Sequence, residues 1–201
     1  MDRLTIVDLI TNGTLSSGQA AILWAIVEEQ RSFVVVAIPR FAGKSTITKA
    51  IFDFSPPTVP VHRLSGEEEE MDRLKEEATG GYLVVGEFSK APVSSYIWGD
   101  PVLKVFDTMT AGYALATALH ASGIDEAFTE ICSGNGVSDE AASRINFMLY
   151  IRRFGEDKDN YWRRLSERYE VDRVLQGKPQ CHLLSQWDEK SDQFVALREP
   201  L

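Results

Sequence analysis

A chain of 201 residues, 44% hydrophobic and 25% charged, can bury a sizeable core without staples, which excludes a disordered or disulfide-built protein. Its net charge of −9 repels phosphate backbones, so duplex nucleic acid is not the expected partner, although local donors can still hold a nucleotide. The apolar runs fall short of the ~20 residues of a membrane span, the N-terminus lacks a signal-peptide pattern, and Cys132 and Cys181 form no metal-binding pair. The expectation is a cytoplasmic chain without direct membrane insertion.

In chain order, Ser16-Ser17-Gly18-Gln19 has the form of a capping box ahead of an apolar helix over Ala20–Glu29. Phe33–Ile38 is continuously apolar and rich in valine, as in a strand covered on both faces of a parallel sheet. A helix is expected from Lys44 to about Phe54, closed by Pro56 and Pro57. A short strand near Val59–Leu64 leads to Glu67–Glu70, an acidic run that suits the positive end of a helix. Tyr82–Val85 is a second buried strand, ending at Gly86-Glu87. Pro101–Met109 reads as a helix, Tyr113–Leu119 as a third inner strand ending at His120, and Ile124–Cys132 as a helix stopped by Gly134.

From about Ile145 the pattern changes. Phe147–Ile151 and Tyr161–Val171 read as strands on either side of polar turn material at Gly155–Asn160, while His182–Trp187 and Phe194–Leu197 flank a hairpin turn at Asp188–Asp192. The expected fold class is α/β: a mainly parallel, doubly wound sheet with an antiparallel C-terminal extension.

Three features carry chemistry. Ala42-Gly43-Lys44-Ser45-Thr46 lies between a buried strand and a helix, the setting of a phosphate-binding loop. There Lys44 would reach the β- and γ-phosphates and the Ser45 hydroxyl would sit on Mg²⁺. The full pattern wants glycine at position 38, where this chain has Ile38, and Phe41 adds bulk to the loop. A chance helix start with Gly43 as cap is the plainer alternative. Glu87 ends the second strand, where an acid can orient water or complete a Mg²⁺ shell, or stand in solvent. His120 ends the third, where it can donate to a γ-phosphate, or simply pack. Each feature follows an apolar strand, so all would fall on one edge of one sheet.

At these residues the chain resembles the type II/type IV secretion ATPase superfamily, the motors of secretion and pilus assembly. VVVAIPRFAGKST resembles the family's Walker A region, GGYLVVGE its Walker B and GYALATALHASGIDEAF its His box, the most specific of the set. Leu4–Glu29 resembles the lead-in helices and LLSQWDEKSDQFVAL the closing strands.

The resemblance implies a RecA-like P-loop NTPase fold acting on ATP and Mg²⁺. It implies one domain over residues 1–201, with lead-in helices at 1–30, a nucleotide-binding core at 31–145 and a strand extension at 146–201. Pro39, Arg40, Phe41, Ala42, Gly43, Lys44, Ser45 and Thr46 would bind the nucleotide; Ser45 and Glu87 would hold the metal; Glu87, His120 and Glu68 would be catalytic, Glu68 through loose register with an acidic box. Partners would be the nucleotide and further copies of the chain, up to a hexamer, or a protein of the secretion or pilus machinery. The departures are Ile38, Phe41, Ser89 where the family carries arginine, and no counterpart of its separate N-terminal domain or of the zinc-binding cysteines of some members. They raise the alternative of a weak or inactive relative that regulates a motor. A small-molecule kinase is a third reading, disfavoured by the His box.

Overall fold

The computed structural model describes residues 3–39, 41–155 and 161–201. Helix α1 (Ile6–Thr11) and α2 (Ser17–Glu28) precede strand β1 (Phe33–Val36) and α3 (Lys44–Ile51). Then come β2 (Val61–Arg63), α4 (Glu68–Glu77), β3 (Tyr82–Val84), β4 (Glu87–Phe88), β5 (Tyr96–Ile97), α5 (Asp100–Met109) and β6 (Ala114–Leu119). The chain closes with α6 (Ile124–Thr129), α7 (Asp139–Ala142), β7 (Phe147–Phe154), β8 (Trp162–Leu175), β9 (Lys178–Asp188) and β10 (Gln193–Ala196).

The capping box forms as the sequence indicates: Ser16 Oγ accepts from the Gln19 amide at 3.1 Å, and Gln19 Oε1 accepts from the Ser16 amide at 3.0 Å. Helix α2 therefore starts at Ser17, three residues before the apolar run. Strand β1 stops at Val36 rather than Ile38, and α3 at Ile51, with a tight turn over Phe52–Phe54. The extension strands are longer than their apolar patterns. The turn Gln176-Gly177, with φ of 54° and 72°, joins β8 to β9 inside a stretch that reads as polar. Of the expected turn at Gly155–Asn160, only Gly155 lies within the described residues.

All the strands join one sheet, with the path β10-β9-β8-β7-β1-β6-β3-β2. Strands β2, β3, β6, β1 and β7 run parallel; β7 through β10 run antiparallel. This is the mainly parallel α/β sheet with an antiparallel extension that the sequence pattern indicates. Successive residues of β1 face opposite layers, as strand geometry requires. Phe33 and Val35 pack with Leu9, Leu23, Ile26 and Ile47 of α1 to α3, while Val34 and Val36 pack with Met71, Val105, Phe106 and Phe128 on the other side. Both layers are dry, which explains the unbroken apolar run.

Buried Ser32 fixes the entry to β1. Its hydroxyl accepts from the Leu115 amide at 3.0 Å, its amide donates to Asn146 Oδ1 at 2.9 Å, and its carbonyl accepts from Asn146 and Phe147 at 3.1 and 3.0 Å. One residue thus sets the register of β1 against both neighbours. Arg168 of β8 is 2% exposed, and its Nε and Nη1 have no hydrogen-bond partner among the described residues; burial holds its guanidinium pKa down to about 10.

Replacing Ser32 with Ala leaves the buried Leu115 amide unsatisfied. The expected cost is about 1–3 kcal/mol, read from the midpoint of denaturant unfolding. An unchanged midpoint would mean that Ser32 does not set the register.

Candidate functional site

Because β1, β3 and β6 are parallel, their C-terminal ends share an edge, and the segments that follow meet there. They line a cleft of about 980 Å³ bounded by the Phe41–Thr46 loop, Glu87, Ser89 and His120.

The loop after β1 holds Phe41 at φ 63° and Gly43 at φ 104°. Both lie in the left-handed region, costly for phenylalanine and natural for glycine. The Phe41 ring is 86% exposed, so it stands outside the cradle instead of filling it. Gly43 caps α3, and its carbonyl accepts from the Ile47 amide at 3.0 Å. The first amides of α3 are thereby presented to the cleft, as an anion site requires.

Lys44, on the first turn of α3, reaches across the cleft floor to Glu87. Their Nζ and Oε2 atoms are 3.1 Å apart, with side chains only 10% and 11% exposed. Two charges so buried persist because each neutralises the other. Glu87 owes its place to a break in the strand. Strand β3 ends at Val84 and pairing resumes at β4. At the break the Gly86 amide donates to the Ser95 carbonyl at 2.9 Å, and a Cβ on Gly86 would meet that oxygen at 2.7 Å. Ser45, Thr46 and His120 also line the cleft, Ser45 and His120 being exposed. Thr117 is buried on the opposite face of β6, the layer of Leu115 and Leu119, as strand alternation indicates.

The structure therefore brings together Phe41, Ala42, Gly43, Lys44, Ser45, Thr46, Glu87 and His120. Pro39 is exposed and does not line the cleft, and Arg40 lies outside the described residues. Glu68 is exposed on the first turn of α4, in the field of Lys104 of α5, and is not part of the cleft wall. Glu70 of the same run caps locally, accepting from the Ser65 amide at 2.9 Å. Among the described residues no cluster of three or more His, Cys, Asp or Glu could hold a metal by itself. A Mg²⁺ here would be held by Ser45 with phosphate oxygens and water, the way this ion is normally bound.

One lining residue has no signal in the local sequence. Arg163, near the start of β8, reaches the loop because β8 returns antiparallel along β7, whose C-terminal end lies at this edge. Only the hairpin register, not spacing from the Gly-Lys-Ser motif, could have found it. Arg144 borders a separate cavity of about 360 Å³ between α5 and α7, and Arg152 pairs with Glu189 at 3.2 Å.

No model of a known protein family matches the sequence, and no curated protein matches it. Solved structures do. The VirB11 ATPase of the Brucella suis type IV secretion system, solved with sulphate, superposes at a TM-score of 0.55 and 14% identity over 84% of this chain and 57% of its own. The ATPase DotB of Yersinia pseudotuberculosis superposes at 0.57 and 12% identity over 84% of this chain and 49% of its own. The chain thus has the fold of these secretion ATPases and spans about half the length of each. Among the described residues no helix is long and apolar enough to cross a membrane.

Substituting Gly86 with Ala forces a methyl against the Ser95 backbone. The expected result is a loss of about 1–3 kcal/mol and of the Lys44–Glu87 alignment, checked by unfolding curves and a crystal structure. A variant with wild-type stability and an intact ion pair would show that the break tolerates a side chain.

Proposed function

We propose that the chain binds ATP in this cleft and hydrolyses it to drive a conformational change, in the manner of secretion and pilus motors. The observation that carries the reading is the convergence of Lys44, Ser45, Glu87 and His120 on one cleft at the edge of a parallel sheet. The fold shared with VirB11 and DotB, both ATPases, supports it.

Each residue has a task set by its place. Lys44 and the amides at the start of α3 bind the phosphate tail, and the Ser45 hydroxyl is the protein ligand for Mg²⁺, which neutralises charge on the phosphate oxygens when bound. Glu87 orients and polarises the attacking water; His120 donates to the terminal phosphate. The ion pair adds a sequence to these events. A phosphate that recruits Lys44 takes the cation from Glu87, so arrival of the ligand frees the carboxylate to act on water. Glu68 has no part in this scheme. The active form is an oligomer of this chain, up to a hexamer, in the cytoplasm.

A second reading is binding without turnover, in a regulator or partner of a motor. It is favoured by Ile38 where the phosphate-loop pattern has glycine, by Phe41 at a left-handed position that suits glycine, and by Ser89 lining the cleft where the resembling family carries arginine. Each missing group aimed at the transferring phosphoryl costs on the order of 10²-fold in rate or more, and binding survives such losses better than chemistry does.

Mg-ATP turnover by the purified chain and by Lys44→Ala separates the readings. The motor reading expects phosphate release at least about 10²-fold faster from the wild type; equal release from both removes it. Binding is read independently by melting. ATP at a hundred times its Kd adds about 2.7 kcal/mol, a rise of roughly 5–10 °C for a chain of this size, absent in Lys44→Ala. Sizing with and without nucleotide should show ATP-promoted assembly; an unchanged monomer would count against an oligomeric motor.

A further inference from the structure

Arg163 sits where it should not be comfortable. Its Nη2 donates to the Phe41 carbonyl at 3.1 Å, its stem lies so close to the loop that a Cβ on Gly43 would meet its Cδ and Nε at 2.8 Å, and its guanidinium lies 4.6 Å from the centre of the Tyr161 ring. Its Nε is buried without a hydrogen-bond partner among the described residues. Its neighbour is differently placed: Arg164 makes two 2.9 Å bonds to the carboxylate of Asp192. Among the described residues no carboxylate pairs with Arg163. Instead it faces the positive end of α3 and shares the cleft with Lys44, whose charge Glu87 already takes up.

A guanidinium held beside the positive end of a helix, with no carboxylate partner among the described residues, marks a place that an anion completes. The stacking on Tyr161 and the bond to Phe41 hold it in position without neutralising it. We propose that Arg163 is a phosphate-binding residue supplied in cis by the antiparallel extension, donating to the β- and γ-phosphates of a nucleoside triphosphate bound over Gly43. This rests on the nucleotide-binding reading of the cleft and adds to it a ligand group outside the parallel core. The extension, on this view, closes one wall of the nucleotide site and senses the length of the phosphate chain.

The test is equilibrium binding of ATP, ADP and AMP to the full chain, its Lys44→Ala variant, Arg163→Gln and Arg163→Lys. Glutamine keeps a donor for the Phe41 carbonyl but no charge; lysine keeps the charge but loses the planar fork. Arg163→Gln should weaken ATP about tenfold or more while changing AMP less than about twofold, and Arg163→Lys should fall between it and the wild type. A merely structural role would weaken all three nucleotides alike, so a uniform loss overturns the proposal. So does an unchanged ATP affinity in either variant, and Arg163→Lys alone decides the matter if the glutamine variant does not fold. Wild-type chain that binds none of the nucleotides would sink the functional reading itself, whereas wild-type binding with no selective loss in the variants sinks only the role of Arg163.

Discussion

The parallel pairing of β1 between β6 and β7 is the constraint from which the rest follows. Parallel neighbours place their C-terminal ends on the same side, so the loop after Val36, the acid after Gly86 and the histidine after Leu119 are delivered to one edge by topology alone. No long-range side-chain interaction is needed to gather them. The dry packing of both layers makes the register rigid, since sliding a strand by one residue would exchange every side chain between the layers. Ser32 ties that register at the opposite edge, so positions at the cleft are fixed by hydrogen bonds at the far end of the strand.

Within this frame the Lys44–Glu87 pair has two meanings. For stability, it is a solution to burying two charges that the loop and strand geometry place side by side. For the proposed chemistry, it would couple two groups whose tasks differ, one for phosphate and one for water. The ion pair also holds both side chains in defined rotamers.

Much of this was legible in the residues. Phe33–Val36, Tyr82–Val84 and Ala114–Leu119 stand out because strands buried on both faces are almost wholly apolar, Thr117 apart, and Gly43-Lys44-Ser45 is recognisable because it falls between such a strand and a helix. Glu87 and His120 follow by the same logic. The extension is harder to read. Strand β8 mixes charged and apolar residues, some of the charges, such as Arg168 and Glu170, being buried, so its end at Leu175 and the turn at Gln176-Gly177 leave little trace in the pattern. Helix α7 is four residues long, too short for any periodicity. Arg163 was invisible for a deeper reason: its position depends on pairing between strands, and pairing is not a local property of sequence. The acidic run is read less directly. Glu68 stands exposed on the first turn of α4, outside the cleft wall, where a carboxylate suits the helix dipole.

The hairpin of β8 and β9 has a mechanical corollary. Strand β8 is 14 residues long, about 45 Å at the usual rise per residue. One end rests on the loop through Arg163. At the other, the amides of Gln176 and Gly177 donate to Asp139 at 2.5 and 2.8 Å, and the Val174 amide donates to Ser143 at 2.8 Å. One strand thus spans the sheet from the loop at one edge to α7 at the other, and it bends on the way at bulges near Arg168 and Asp172.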